Sequence, residues 1–126
     1  MTNTQQKRDI YDRAFKFAAR ATKFLEQLPK TFVTREYSVQ LVRSSASIGA
    51  NIAEADGALS RKDFINKIGI ARREARESKH WLRLIESTDT CKDKTSLEEL
   101  AWLIQESTEL LLILSSIIQR TKEKAA

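Results

Sequence analysis

Apolar residues recur at alternating three- and four-residue steps along four stretches of this chain. In residues 9–28 the recurring positions are Ile10, Ala14, Phe17, Ala21, Phe24 and Leu28. In residues 61–86 they are Phe64, Ile68, Ala71, Ala75, Leu82 and Ile85, with Ser78 at the same spacing. This spacing places one apolar side of each stretch against a partner, and it therefore predicts packed helices.

Proline, glycine and capping residues set the expected ends of these helices. Pro29 ends the first helix, and the pair Asp56-Gly57 ends the second. The expected N-cap residues of the second, third and fourth helices are Thr34, Ser60 and Ser96, the last in a capping box with Glu99. The predicted helices are about 6–28, 35–56, 61–87 and 96–122.

Short connections between these helices favour antiparallel neighbours. The predicted fold is an all-α, antiparallel up-down-up-down four-helix bundle. A length of 126 residues fits a single domain, here 1–126, with one core. Three glycines and one proline are too few for a β-fold rich in turns.

Several features indicate the compartment in which the protein works. Cys91 is the one cysteine, which rules out an internal disulfide and favours the cytoplasm. The polar N-terminus lacks the apolar centre of a signal peptide. The longest apolar run, within 110–118, is too short to cross a bilayer, so we expect no membrane partner.

The helices carry more apolar surface than one bundle seam requires. Six residues lie beside the main seams of the third and fourth helices: Ile70, Trp81, Leu84, Leu103, Leu110 and Ile117. Tyr11, Phe15 and Leu25 add apolar surface to the first helix. We expect this excess to be buried by self-association, with the listed six as the candidate interface. The alternative is that a compact bundle absorbs them at the corners of its own core.

Small residues in the second helix allow a close approach of another helix. In a hairpin of the second and third helices, Gly49 and Gly69 fall at the same height. A tight crossing there explains two glycines that otherwise cost about 1 kcal/mol each inside helices. The alternative is that both glycines are simply tolerated.

Cations recur at helical spacing on two helices of this basic chain, whose net charge is +5. They are Arg13, Lys16, Arg20 and Lys23 on the first helix, and Arg72, Arg73, Arg76, Lys79 and Arg83 on the third. Such rows can follow the phosphates of RNA or DNA. Acidic residues lie on the same helices, so a solvated surface is the alternative.

The residues that could support catalysis are few and scattered. His80 is the single histidine and is expected to point outward, and Cys91 lies in a polar loop. Glu74 and Glu77 are expected to form salt bridges with neighbouring arginines rather than to act as acid and base. We therefore expect neither enzymatic activity nor a metal or other cofactor.

The second helix carries a polar ridge that also forms a recognisable motif. The ridge comprises Arg43, Ser47, Asn51 and Glu54. It is interpreted as a solvated surface, and the alternative is a polar seam between subunits or a recognition strip. Residues 42–56, VRSSASIGANIAEAD, and the following SRKDFINKIGIARREARESKHWLRLIE resemble the family of 23S rRNA intervening-sequence proteins. Ala55 departs from the family pattern, because many relatives have glycine there.

The resemblance implies an up-down bundle that assembles into a ring-shaped homopentamer of unsettled biochemical role. A similar basic pentameric bundle, the accessory protein of diversity-generating retroelements, partners a reverse transcriptase and nucleic acid. The function predicted here is a non-enzymatic oligomeric scaffold or adaptor that binds RNA or DNA through its first and third helices. The alternative is a purely structural assembly module with one protein partner and no nucleic acid.

Overall fold

The computed structural model describes the backbone of residues 3–125 and the side chains of residues 8–124. Within this range the chain forms four helices: α1 (Asn3–Glu26), α2 (Phe32–Asp56), α3 (Arg61–Ser87) and α4 (Lys94–Ala125). The all-α prediction is confirmed for these residues. α1 ends two residues earlier than predicted, because Gln27 and Leu28 bond to carbonyls three residues back and tighten the last turn.

The N-cap of α2 is Thr31, and the prediction of Thr34 is wrong. The Thr31 hydroxyl accepts a hydrogen bond from the backbone N–H of Thr34 at 3.1 Å. In return the Thr34 hydroxyl accepts from the N–H of Thr31 at 2.9 Å, which completes a capping box. Thr34 also donates to the carbonyl of Pro29, so the loop and the helix start form one unit.

The start of α3 is as predicted, whereas that of α4 is not. Ser60 caps α3 by accepting from the N–H of Asp63 at 3.0 Å. At α4 the Asp93 carboxylate accepts from the N–H of Ser96 at 2.9 Å, which lowers the pKa of Asp93. Glu99 takes no part in this cap, because its carboxylate binds Arg20 of α1.

Each helix packs on its neighbours in chain order, and α1 closes the bundle against α4. Contacts across the interfaces show antiparallel directions. Between α1 and α4, Arg13 pairs with Glu106 and Arg20 pairs with Glu99. Residue numbers therefore rise along α1 in the direction in which they fall along α4. Between α2 and α3, the Tyr37 ring lies 5.8 Å from that of Trp81, and Ser44 bonds Ser78.

The core is aliphatic with a few buried hydroxyl groups. Its largest fully buried side chains include Phe17, Leu41, Ile48, Ile68, Leu82, Ile85, Leu100, Leu103, Leu110 and Leu114. Ser78 is fully buried among them, in agreement with its place in the apolar spacing of α3. Its hydroxyl donates to that of Ser44 at 2.8 Å, so this hydroxyl group is satisfied inside the core.

Gly49 contacts α1 rather than Gly69, so the predicted glycine crossing of α2 and α3 is wrong. A Cβ atom at Gly49 would lie 3.8 Å from both Ala14 and Tyr11, and 3.9 Å from the backbone of Phe15. At Gly69 a Cβ atom would meet no other atom within 4 Å. The close approach expected from small residues therefore exists, but it lies on the α1 side of α2.

Candidate interaction surfaces

Two arginine–glutamate pairs join the outer edges of α1 and α4. Arg20 donates from Nε and Nη2 to the Glu99 carboxylate at 2.9 and 2.5 Å. Arg13 donates likewise to Glu106 at 3.0 and 2.7 Å. We call these two bidentate pairs the α1–α4 ladder. Hydrogen bonding from Arg20 lowers the pKa of Glu99, and both arginines have raised pKa values.

Trp102 lies within this ladder and binds cations of α1. The Arg20 guanidinium carbon is 3.4 Å from the centroid of the indole ring, and the Lys16 ammonium is 5.9 Å from it. Of the four α1 cations predicted to contact phosphates, Arg13 and Arg20 are thus paired with α4 carboxylates, while Lys16 meets α4 through the Trp102 ring alone. The sequence reasoning missed Glu99, Glu106 and Trp102 as their partners.

The cations of α3 are not engaged in this way. Arg73, Arg76 and Arg83 are exposed and Arg72 and Lys79 partly exposed, and the ion pairs seen among residues 8–124 involve none of them. An open depression with a volume of about 420 Å³ is lined by Arg76, Lys79, His80, Arg83, Leu84 and Ser87. α3 therefore carries the accessible positive surface, while Lys16 and Lys23 remain exposed on α1.

Glu74 lies beside Glu77 instead of forming the expected salt bridge. Burial raises the pKa of Glu74, the neighbouring charge of Glu77 raises it further, and Arg73 partly opposes this shift.

The polar ridge of α2 does not bring its side chains together into a single site. Asn51 donates to the Ser47 carbonyl at 2.8 Å, and Arg43 and Glu54 are exposed.

The predicted interface residues divide into two groups. Leu103 and Leu110 are fully buried in the core of the chain, so a second copy cannot contact them and this part of the prediction is wrong. Their side of α4 faces the bundle interior, next to the flank whose Glu99 and Glu106 meet α1. Ile70, Trp81, Leu84 and Ile117 are partly exposed.

Larger exposed apolar residues lie on two other parts of the bundle. The first, which we call the α1/α2 apolar surface, comprises Tyr11, Phe15, Val39, Val42, Ala46 and Ala50. The second, the α4 apolar stripe, comprises Leu97, Ile104, Leu111 and Leu112. Phe15 is 63% exposed and Leu112 is 58% exposed. Both surfaces exceed the isolated apolar residues that are normal on a monomer.

The groups capable of catalysis are dispersed across the bundle. No cluster of three or more histidine, cysteine, aspartate or glutamate side chains suited to a metal occurs among the described residues. His80 is exposed and packs edge-on against Trp81 at 5.0 Å. Cys91 is buried rather than lying free in its loop, and burial raises the pKa of its thiol.

In the described part of the chain, α4 is the one helix that is long and apolar enough to cross a membrane by length and composition. Core helices of soluble proteins have the same length and apolar composition. Leu100, Leu103, Leu110 and Leu114 of α4 face the core.

These features define a class of helical bundle with charged and apolar outer surfaces. Residues 6–116 match the model of the 23S rRNA-intervening sequence protein family, and the chain belongs to that family. No curated protein matched the sequence. The chain is similar to a solved structure from Bacteroides thetaiotaomicron, described as a protein of unknown function from the S23 ribosomal protein family. The two share 40% identity with a TM-score of 0.77, over 90% of this chain and 98% of that one.

Proposed function

We propose that this protein is a non-enzymatic scaffold that associates with copies of itself through the α1/α2 apolar surface. The observation that supports this most directly is the exposure of Phe15, which lies at the height of Gly49 near the small side chains of Ala46 and Ala50. The exposed Val39 and Val42 continue this surface about two to three turns further along α2. Full burial of a phenylalanine is worth about 1.5–3 kcal/mol, so hiding this surface is a substantial driving force.

The shape of this surface also suits a close helix contact. Ala46 and Ala50 are both exposed and lie one turn apart on α2. Small side chains let another backbone approach, and Phe15 supplies a large side chain beside them. Five copies is the number that the family resemblance implies, and it forms part of this proposal.

Light scattering coupled to gel filtration tests self-association directly. We expect the wild-type protein to have a mass several times the 14.4 kDa of one chain. Phe15→Glu should shift the mass toward one chain. Phe32→Glu is the matched control, because Phe32 is 71% exposed but lies at the far end of α2. A wild-type mass of one chain at high concentration contradicts the proposal.

Nucleic-acid binding is a second candidate function, and the accessible cations of α3 favour it. A bound phosphate backbone would contact Arg76, Lys79 and Arg83 along the depression on α3. If three or four phosphates are contacted, log affinity for single strands should fall with log salt at a slope of about −2 to −3. Arg76→Glu should make that slope shallower by about 1. Retention that does not depend on salt, or no retention, contradicts this candidate.

A further inference from the structure

The cations of α3 and the α4 apolar stripe lie on adjoining sides of one helix pair. Trp81 faces α2, so the other flank of α3 faces α4, and at about 100° per residue this flank carries Arg72 and Lys79. Arg76 and Arg83 lie next to it on the outer side. On α4, Glu99 and Glu106 face α1, so the opposite flank, with the apolar stripe, lies toward α3.

The α4 apolar stripe is long and uncharged. From residue 97 to residue 115 the positions on this flank are Leu97, Ala101, Ile104, Thr108, Leu111, Leu112 and Ser115. Leu97 is 45% exposed and Leu112 58%, while Ile104 and Leu111 are partly buried. Only 28% of the most apolar stretch of α4 is buried in the bundle. From residue 97 to residue 115 the stripe spans about five helical turns, roughly 27 Å.

Charge on the two sides of this stripe is unequal. Beyond its far edge, away from α3, α4 carries Glu109 and also Glu98, which forms an exposed pair with Lys94 at 3.8 Å. The stripe is therefore bordered by a row of cations on the α3 side and by no comparable row of cations on the other side.

We propose that this α3/α4 surface binds an acidic amphipathic helix of a partner protein. The apolar face of that helix packs on the α4 stripe, and its acidic edge pairs with Arg76, Lys79 and Arg83. The proposal rests on the scaffold function above, and it names the kind of partner that the scaffold holds.

Other occupants fit this surface less well. A phosphate backbone would leave Leu97 and Leu112 exposed, and a uniformly anionic bilayer would be repelled by Glu109. A two-fold contact with a second copy would oppose α3 cations to α3 cations when the helices run antiparallel across it. With parallel helices it would oppose the cations to Glu98 and Glu109, and because Glu98 already pairs with Lys94, most of the cations would lack an acidic partner. A partner helix with acidic residues on one edge only pairs with the α3 cations and places no acidic residues next to Glu109.

The test is a displayed library of helices of about 18 residues with a fixed leucine stripe. The positions on both edges are randomised among glutamate, glutamine and lysine. On the wild-type protein we expect enrichment of glutamate on one edge and not on the other. Because the cations set this preference, the double variant Arg76→Glu with Arg83→Glu should select lysine on that edge instead.

Single variants separate the apolar and charged parts of the surface. Leu112→Ser should weaken the selected helix at least about tenfold. Phe32→Ser is its apolar control and Arg73→Glu the charge control, because Arg73 lies further round α3 from α4, and neither should weaken binding more than about twofold. Circular dichroism of each variant confirms that the bundle is folded.

Several results would overturn the proposed binding of an acidic helix. No enrichment, equal enrichment of glutamate and lysine, or binding unaffected by Leu112→Ser overturns the proposal. Binding of single-stranded RNA or of anionic vesicles without any helix enrichment also overturns it and assigns the surface to that ligand. A protein of one-chain mass that still selects acidic helices overturns the proposed self-association and leaves this assignment standing.

Discussion

Glu74 and Glu99 are partly buried carboxylates whose pKa values shift in opposite directions. Glu99 receives two hydrogen bonds from Arg20, so its charged form is stabilised and its pKa is lowered. Glu74 loses solvent and faces Glu77, so its charged form is destabilised and its pKa is raised. At neutral pH the charged Glu99 therefore stabilises the fold, whereas the charged Glu74 destabilises it.

Glu74→Gln should therefore raise the free energy of unfolding at pH 7. The folded state binds the proton of Glu74 more tightly than the unfolded state does, so this group costs stability as pH rises through its raised pKa. Chemical denaturation at pH 7 and at pH 4 should show a gain that shrinks at the lower pH. Glu54→Gln, at an exposed position of α2, is the control. Equal effects of the two variants would contradict this interpretation.

Gly69→Ala should stabilise the protein by about 0.5–1 kcal/mol. Gly69 lies inside α3 with no atom near its potential Cβ, so alanine gains helix propensity without a clash. Gly49→Leu should instead cost about 1–3 kcal/mol, because its side chain would displace Ala14 and Tyr11. Thermal unfolding of both variants measures the contrast, and a destabilised Gly69→Ala protein would show that α3 is packed more tightly than described.

The residue-scale features show what helical spacing can predict. The burial of Ser78 follows from its place in the apolar spacing of α3. The partner of Gly49 does not, since spacing assigns a residue to a side of its own helix but does not identify the helix that covers this side. A close contact was therefore predicted, but with α3 instead of α1.

At the scale of elements, the α1–α4 ladder links the two ends of the chain into one bundle. Its pairs are bidentate and partly shielded from water, with side-chain exposures of 31% for Arg20 and 28% for Glu99. The Lys94–Glu98 pair on α4 differs, because both side chains are mostly exposed and the charged atoms are 3.8 Å apart. Geometry and shielding predict a larger coupling energy for the ladder.

A double-mutant cycle tests this difference. Replacing Arg20 and Glu99 by alanine, singly and together, should give a coupling energy of about 1 kcal/mol. The same cycle on Lys94 and Glu98 should give about 0.3–0.5 kcal/mol or less. Added salt should reduce both. Equal couplings would mean that the shielding of the ladder contributes nothing.

Helix existence followed from sequence more closely than helix ends did. The apolar repeat extends over many residues in every helix, so a single exception does not change the prediction of a helix. The N-cap residue is harder to predict, because several neighbouring side chains can accept the same backbone hydrogen bond. Thr31 and Thr34 are one such pair, and Asp93 and Ser96 are another. Glu99 suited a capping box in the sequence, but the arrival of Arg20 from α1 gave it a stronger partner.

At the scale of the whole molecule, self-association should couple stability to concentration. If copies bury the α1/α2 apolar surface, the melting temperature of the wild-type protein should rise with protein concentration. Phe15→Glu should remove this dependence, and Phe32→Glu should leave it intact. Differential scanning calorimetry over a hundredfold range of concentration measures the effect. A melting temperature that is independent of concentration would contradict self-association over that range.

The bundle was predictable from sequence, but the roles of its surfaces were only partly so. A wide apolar arc on α4 indicates excess apolar surface without showing which edge points inward. Leu103 and Leu110 therefore took the place of the exposed Leu97 and Leu112 in the predicted interface. The spacing of the α1 cations does not reveal that they are paired, because Glu106 and Glu99 are 93 and 79 residues away from Arg13 and Arg20 in the sequence.

The α1–α4 ladder also restricts how these two helices can slide along each other. Its arginines are seven residues apart, and on α4 the glutamates are Glu98, Glu99, Glu106, Glu109 and Glu123. Of these, only Glu99 and Glu106 are separated by the same interval, so every shifted alignment breaks at least one pair. The leucines of α4 repeat closely enough to pack in several alignments, and the charges on the rim distinguish the correct one.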